Sequence, residues 1–420
     1  MLRPRSFLVV VAVAATFACR DASVPTEPAP GSTRSAAVAL LAPNPAMSRT
    51  DLGTLGGVSS FAADINNDGT VVGWSQNEAG ATHAFRWTEE AGMVDLGTLP
   101  GDDFSQAIRI LRDGRVLGVS SGSGHPITPV VWSASGSIAA LPIPLLANAD
   151  FGVPADFNAS GEVVGWDVIG RQHAWFWSPS QGKYDITANV PGGSSEGISN
   201  QISKKGLVLG TNHARVCTLT VECWHAFLWS QDAGFRDLGT PGNDPNTLVN
   251  GNAMNETGTV VGSTDIFGVG LRPYRWSDRE GFTVLPAGST SFALAVNARA
   301  TAVGASSDPD GAVARATAWP RGGGVITLSP DDPNPSIAVA INDGGTVAGW
   351  SALDCCGFEN HATVWSFGSS LVAVKPPGHP HPPHPPKLTA SGFTACLSDR
   401  RALRSRAALF ACVAGNDGGS

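Results

Sequence analysis

Residues 65–73 read Ile-Asn-Asn-Asp-Gly-Thr-Val-Val-Gly, and residues 83–87 read His-Ala-Phe-Arg-Trp. Related strings recur seven times, the first ending on a glycine and the second on a tryptophan. Successive tryptophans lie 43 to 52 residues apart, and a repeat of roughly 40–50 residues is long enough for one four-stranded blade. The sequence therefore predicts an all-β fold, a seven-bladed β-propeller of four-stranded antiparallel blades. The glycines are Gly73, Gly118, Gly165, Gly210, Gly262, Gly304 and Gly349. The tryptophans are Trp87, Trp132, Trp177, Trp229, Trp276, Trp319 and Trp365.

The first string has the chemistry of a tight hairpin. The side chain of Asn66 can bond the turn backbone, and Gly69 can take the left-handed conformation without a Cβ penalty. The sixth copy has Ala300 where Gly69 stands in the first. We expect that turn to be the most strained of the seven.

Composition and charge narrow the class of protein. The chain has 50 Gly, 30 Pro, 42% hydrophobic and only 15% charged residues, as expected for many short strands joined by Gly-rich turns. Its formal net charge is −8. Because phosphate binding needs a basic face, a nucleic-acid partner is not expected.

The N-terminus has the pattern of an export signal. Arg3 and Arg5 precede an apolar run that ends near Phe17, and Ala18-Cys19 resembles the end of a bacterial lipobox. Lipid anchoring through Cys19 is expected, with plain secretion as the alternative. The predicted organisation is a lipoprotein-type signal peptide (1–19), a disordered tether (20–50), the propeller (51–374), a Pro/His-rich linker (375–387) and a Cys-containing tail (388–420), either stapled or disordered.

The six remaining cysteines suit an oxidising compartment. Disulfide bonds between cysteines that are close in the sequence are expected to hold loops together, although the sequence cannot give the connectivity. A metal site is the less favoured alternative, and no metal or other cofactor is predicted. The disulfide candidates are Cys217, Cys223, Cys355, Cys356, Cys396 and Cys412.

An extra copy of the fourth-strand string, Asp-Leu-Gly-Thr-Leu at 51–55, stands before the first full repeat. Pairing this copy with the last blade would close the ring and remove an open sheet edge. The competing interpretation is that residues 371–374 already complete that blade. Together, the Asp-Leu-Gly-Thr-Leu, Ile-Asn-x-x-Gly-x-Val-Val-Gly and His-Ala-Phe-x-Trp strings resemble the HAF-repeat family of predicted extracellular bacterial proteins. The resemblance implies export and a propeller-like fold, but no reaction.

Histidines and tryptophans that recur at equivalent positions of the repeats are candidates for a functional role. His83, His173, His225 and His361 occupy one equivalent position in different blades, so rotation about the axis should separate them. A hydrogen bond inside each blade is therefore expected rather than a catalytic or metal-binding role. The seven tryptophans that end the His-Ala-Phe-x-Trp strings are expected in the core. A sugar-stacking role is the alternative considered for Trp74, Trp166, Trp224 and Trp350.

One position of the innermost strand is polar in four repeats and alanine in three. A ring would place the polar set on one side of the central channel, and we expect that set to contribute to a binding site. Satisfied structural polar groups are the alternative. The polar residues are Asp64, Arg109, Asp156 and Gln201, and the others are Ala253, Ala295 and Ala340.

The sequence thus predicts an exported, surface-anchored and monomeric binding module for an unknown extracellular protein or glycan, attached to the membrane only through its N-terminal lipid. Variable loops at 211–224 and 351–360 are expected to shape the binding rim. One alternative is a polysaccharide hydrolase or lyase with its site at the central channel. The other is a structural envelope protein without a ligand.

Overall fold

Seven four-stranded antiparallel sheets make up the described part of the chain, which confirms the predicted seven-bladed β-propeller. In blades one to six, four consecutive strands pair in chain order, as in the sheet β2-β3-β4-β5. Blade seven takes three strands from the end of the described chain and one from its start. The computed structural model describes residues 47–123, 125–190, 196–213, 223–244, 247–266, 270–288, 290–307, 313–353 and 359–366.

The strands of blades one to seven are given from the innermost strand outward. The innermost strands are β2 (Gly56–Ile65), β6 (Phe104–Ile110), β10 (Phe151–Phe157), β14 (Gly197–Ile202), β18 (Leu248–Met254), β22 (Ser291–Val296) and β26 (Ser336–Ile341). The second strands are β3 (Val71–Asn77), β7 (Val116–Gly122), β11 (Val163–Ile169), β15 (Val208–His213), β19 (Val260–Ile266), β23 (Ala302–Ser307) and β27 (Val347–Ala352).

The outer half of each blade follows the same order. The third strands are β4 (Thr82–Thr88), β8 (His125–Trp132), β12 (Arg171–Ser178), β16 (Trp224–Ser230), β20 (Gly270–Ser277), β24 (Ala314–Trp319) and β28 (Asn360–Ser366). The outermost strands are β5 (Gly92–Asp95), β9 (Ile138–Ala140), β13 (Gly182–Asp185), β17 (Gly234–Asp237), β21 (Gly281–Val284), β25 (Ile326–Thr327) and, in blade seven, β1 (Ser48–Asp51). Two short 3-10 helices cover Thr187–Asn189 and Pro241–Asn243.

The N-terminal strand closes the ring. Strand β1 pairs antiparallel with β28, from Ser48 opposite Ser366 to Asp51 opposite Thr363. This confirms that the extra N-terminal copy supplies the last blade's outer strand, but the strand lies earlier than predicted, since only Asp51 of the quoted string belongs to it. Residues 371–374, the competing candidate, lie outside the described residues.

A bulge in every innermost strand explains why a glycine recurs in the second strand of every blade. The pairing of β2 with β3 shifts register between Ala62 and Asp64, and the same shift recurs in all seven blades. The bulge brings the carbonyl oxygen of Phe61 so close that a Cβ on Gly73 would lie 2.0 Å from it. Equivalent contacts of 1.8 to 2.4 Å face the other six of these glycines, so a side chain at these positions would displace the bulge.

The hairpins between innermost and second strands behave as predicted and also connect the blades. The Oδ1 atom of Asn66 accepts the backbone N–H groups of Asp68 and Thr70. Ala300 takes the left-handed conformation with φ of 59°, as its strained position requires. The asparagine Nδ2 groups donate to the hairpin carbonyl of the next blade, an interaction that the sequence did not reveal. These inter-blade bonds are Asn66 to Leu111, Asn158 to Ser203, Asn255 to Asn297, Asn297 to Asn342 and Asn342 to Asn66.

The core lies between neighbouring blades. Ala84, the small residue of the His-Ala-Phe-x-Trp string, is fully buried in a cluster that joins blades one and two. Its N–H donates to the hydroxyl of Ser105 in blade two. Because this N–H points to the next blade and not along its own sheet, Pro129 and Pro273 fit the equivalent position without losing a sheet bond. The seven tryptophans that end the His-Ala-Phe-x-Trp strings are buried, except Trp87, which is half-buried.

Candidate functional site

The four predicted channel residues follow the bulges of consecutive innermost strands. Asp64, Arg109, Asp156 and Gln201 are the first paired residues after the bulges of β2, β6, β10 and β14. The structure brings three of them into one ion-paired group. The equivalent residues of blades five to seven are buried alanines. Because the polar residues belong to blades one to four, they lie on one side of the ring, as predicted from the sequence.

Arg109 bridges the two carboxylates. Its Nε donates to Oδ1 of Asp156 at 2.9 Å, and its Nη1 lies 3.4 Å from Oδ1 of Asp64. The side chains of Arg109, Asp64 and Asp156 are 20%, 11% and 4% exposed. This group, the Asp64–Arg109–Asp156 triad, therefore links blades one, two and three.

The same acidic and amide side chains also connect the blades through the backbone. Oδ2 of Asp64 accepts the N–H of Ile110, and Oδ2 of Asp156 accepts the N–H of Ile202, both at 3.0 Å. In blade four, Oε1 of Gln201 accepts the N–H of Met254 at 2.7 Å. These oxygens hold the innermost strand of the following blade, which is the structural role that the sequence analysis gave as the alternative.

The triad carries one cation between two carboxylates. Burial alone would lower the pKa of Arg109, but the negative charges of Asp156 and Asp64 outweigh it and raise that pKa. Burial raises the pKa of Asp156, and the charge of Arg109 opposes this rise. All four hydrogen bonds that the structure gives Asp156 come from N–H donors. Its oxygens therefore act as acceptors.

A pocket of about 370 Å³, here called the channel-mouth pocket, is lined by Arg109 and Asp156 of the triad. It lies on the end of the ring that carries the hairpins between innermost and second strands, here called the turn face. Its size falls in the range of small-molecule sites, roughly 300–1,000 Å³. The lining residues are Arg109, Ile110, Leu111, Arg112, Asp113, Asp156, Phe157, Asn158, Ala159, Gln201, Ile202, Lys204 and Glu256.

The rim of this channel-mouth pocket adds charged groups that the sequence analysis missed. Arg112, Lys204 and Glu256 are exposed and occupy the same position in the hairpins of blades two, four and five, directly after the turn asparagine or its replacement. Variation at this position was the available signal: the seven residues are Asn67, Arg112, Ala159, Lys204, Glu256, Ala298 and Asp343. Only the fold reveals which of them surround an opening.

The repeated histidines each pair with an aspartate of the outermost strand in their own sheet. The aspartate also begins the turn that follows: Oδ1 of Asp95, for instance, accepts the N–H of Gly97. In three blades the aspartate lies 12 residues after the histidine, a spacing that could have been noticed in the sequence. The distances from histidine Nδ1 to the carboxylate are 2.7 Å for His83–Asp95 and 2.9 Å for His173–Asp185, His225–Asp237 and His361–Asp51.

A second buried ion pair lies in blade three. Nζ of Lys183 is 2.6 Å from Oδ2 of Asp167, and these side chains are 4% and 0% exposed. The ammonium also contacts the ring of Trp175 and donates to the carbonyl of Pro144, while Asp167 accepts the N–H of Leu146. Burial lowers the pKa of Lys183. The pair fastens the loop between blades two and three and is closed to a ligand.

The remaining candidate residues from the sequence analysis do not lie where a binding role would need them. Trp74, Trp166, Trp224 and Trp350 are only 1–7% exposed, so the sugar-stacking alternative is wrong for these buried rings. Cys223 is buried and disulfide-bonded. Across the described ranges, no three His, Cys, Asp or Glu side chains converge as a metal site. Within those ranges, no helix combines the length and apolar character needed to cross a membrane. Several predicted positions lie outside the described residues: Cys19, Cys217, Cys355, Cys356, Cys396 and Cys412.

Comparison with known proteins finds only distant similarities. No family model and no curated protein matches the chain. Among solved structures, a puromycin hydrolase shares 14% identity with a TM-score of 0.46, over 72% of this chain and 51% of its own. This chain thus spans about half the length of that hydrolase. The β-propeller domain of the Trilobed protease from Pyrococcus furiosus has 9% identity and a TM-score of 0.48, over 73% of this chain and 95% of its own. The BP39L lectin from Burkholderia pseudomallei has 11% identity and a TM-score of 0.45, over 78% of this chain and 96% of its own.

Proposed function

We propose that this protein is an exported binding module that holds an extracellular ligand in the channel-mouth pocket. One observation carries the proposal. The pocket occupies the sector of the ring where the repeat departs from its own pattern. Turn asparagines are replaced by Leu111 in blade two and Ser203 in blade four, and charged side chains line the same sector. Departures from a consistent pattern are expected at functional sites.

The position of the site also favours binding. The innermost strands of blades two, three and four line the pocket, together with the hairpin residue Glu256 of blade five, so a rigid framework fixes its lining. The proposal places the site on the turn face, whereas the strand ends that flank the variable loops at 211–224 and 351–360 lie at the opposite ends of their blades, at His213, Trp224, Ala352 and Asn360. Most of those loop residues are outside the described ones.

Export is the second part of the proposal and rests on the sequence. The charged and apolar N-terminal segment supports secretion, and Cys19 supports attachment through a lipid. A binding module at the cell surface would then need no catalytic group. Metabolic labelling with a fatty-acid analogue tests the anchor, because wild-type protein should be labelled and Cys19→Ser should not.

Binding is a better match to the triad than hydrolysis. A hydrolase or lyase would need one carboxyl group to hand over a proton while another stays ionised. Asp64 and Asp156 instead share a single guanidinium and accept backbone N–H groups from the next blade. These bonds commit the two carboxylates to holding the ring.

A steric block tests the site directly. Ala159 is exposed on the pocket lining, and Ala298 is its exposed equivalent in blade six, away from the pocket. The full chain is first screened on a glycan array, and hits are titrated against both variants. We expect Ala159→Trp to weaken binding at least tenfold and Ala298→Trp to change it less than twofold. Equal binding by both variants would place the ligand elsewhere, and no binding at all would favour a structural envelope protein.

A further inference from the structure

The charged and amide side chains that line the pocket have unused hydrogen-bond donors and few unused acceptors. Asp156 is fully engaged by Arg109 and backbone N–H groups. Asp113 is paired with Arg115, at 2.8 Å between Nη2 and Oδ2, and this hydrogen bond lowers the pKa of Asp113. Among the lining carboxylates, Glu256 keeps most of its capacity, since only its Oε1 accepts the N–H of Lys204, at a long 3.4 Å.

The donors show the opposite balance. Arg109 uses one N–H on each of its three nitrogens, so one N–H on Nη1 and one on Nη2 remain. The side chains of Arg112 and Lys204 are exposed and have no hydrogen-bond or ion-pair partner among the described residues. Gln201 uses its oxygen on Met254, and its amide nitrogen has no partner within the same described ranges.

The ligand must therefore supply oxygen acceptors. A carboxylate satisfies a guanidinium through two parallel N–H···O bonds and is also a partner for an ammonium group. Glu256, which lies beside the backbone of Lys204 in the pocket lining, would repel a second carboxylate but would accept hydrogen bonds from hydroxyl groups. A sugar acid carries one carboxylate and several hydroxyls on a single ring.

Building on the proposed function, we infer that the pocket binds a uronic acid residue of an acidic saccharide. Its carboxylate lies against Arg109, Arg112 and Lys204, and its hydroxyls face Glu256. The lining holds three cations and three anions, and the whole chain has a net charge of −8. Recognition therefore comes from directed hydrogen bonds and not from a positive field, so a short acidic oligomer is favoured over a long polyanion.

The experiment titrates the full chain with trigalacturonate and with its methyl ester, which keeps the ring hydroxyls and removes the charge. We expect the ester to bind at least tenfold more weakly. Arg112→Ala/Lys204→Ala should weaken trigalacturonate binding at least tenfold. The control Lys205→Ala/Arg299→Ala removes the same charge from exposed turn-face residues outside the pocket lining, and it should change binding less than threefold.

The outcomes separate this inference from the proposed function. If acid and ester bind equally and Ala159→Trp blocks both, the pocket is a binding site but the carboxylate is not what it recognises. If both double variants weaken binding equally, binding depends on the overall charge of the turn face and not on the pocket. Failure of trigalacturonate to bind wild-type protein overturns the inference. Binding of a peptide with a free C-terminal carboxylate in its place would assign the carboxylate to a protein partner.

Discussion

Replacing Arg109 with methionine should expose the cost of two buried carboxylates. Arg109→Met keeps much of the side-chain volume but leaves Asp64 and Asp156, at 11% and 4% exposure, without their shared cation. Breaking a buried ion pair from one side costs roughly 3–5 kcal/mol. Because the Arg109 side chain is 20% exposed and each carboxylate keeps a backbone N–H, we expect the low end, about 3 kcal/mol.

A neutral version of the triad is the matched comparison. In Asp64→Asn/Arg109→Met/Asp156→Asn, the asparagine oxygens can still accept the backbone N–H of the next blade, as Gln201 does in blade four. Much of the loss should therefore be regained, leaving the triple variant within about 1–2 kcal/mol of wild type, since buried ion pairs are often replaceable by neutral groups.

Equilibrium unfolding in urea, followed by tryptophan fluorescence, measures both variants. The deficit of Arg109→Met should also shrink as the pH falls from 7 to 4. Without the guanidinium, burial holds the pKa of Asp156 above its value in the unfolded chain, so the cost exists above the folded-state pKa and disappears as the carboxyl group becomes protonated. A loss below 1 kcal/mol at pH 7, or a triple variant less stable than Arg109→Met, would refute the reasoning.

Three further changes probe the scaffold. Ala300→Gly relieves the left-handed alanine and should raise the free energy of unfolding by about 0.5–1 kcal/mol; an unchanged or lower value in urea would contradict the strain. Lys183→Met strands the buried carboxylate of Asp167 and should cost about 3–5 kcal/mol, whereas Lys183→Met/Asp167→Ser, which restores residue types used in other blades, should recover most of it. A double variant as unstable as the single one would exclude charge as the cause. The hydrogen bond that His83 donates to Asp95 raises the pKa of His83 despite burial. Burial opposes the effect on Asp95, but the same bond lowers the pKa of Asp95. The pair is therefore fully formed between about pH 4 and 6.5, and its contribution falls as pH rises through the raised pKa of His83 or drops through the lowered pKa of Asp95. His83→Gln should thus lower the melting temperature most near pH 5.5 and least above pH 8, and a pH-independent difference would rule out the ion pair.

The sequence predicted the parts of the fold that depend on spacing. A glycine and a tryptophan that keep step over seven repeats indicate the number of blades, because each blade needs the same strands in the same order. The closing strand was predicted for the same reason. Its bounds were not, since Asp51-Leu52-Gly53 belongs mainly to a turn whose aspartate accepts the N–H of Gly53.

The candidate site was only half predictable. The alignment of the repeats in a ring placed Asp64, Arg109 and Asp156 on one side of the channel. It could not show that Arg109 would pair with a residue 47 positions later, because the rotation between blades sets that contact. Arg112 and Lys204 carried no signal of their own, since they are ordinary exposed turn residues until the pocket beside them is known.

The inter-blade contacts give a physical reason why the pocket lies in this sector. Where asparagine is present, its amide joins neighbouring hairpins with a neutral hydrogen bond, as Asn342 does with the carbonyl of Asn66. Between blades two and three, Leu111 cannot form that bond, and the junction is held by Arg109 with Asp156. Charged groups that replace the amide can connect the blades while keeping N–H donors for a ligand. A ring joined throughout by asparagine would leave no such donors at its axis. Restoring the amide with Leu111→Asn should therefore strengthen this junction and reduce ligand affinity together, and a gain in stability with unchanged affinity would separate the two roles.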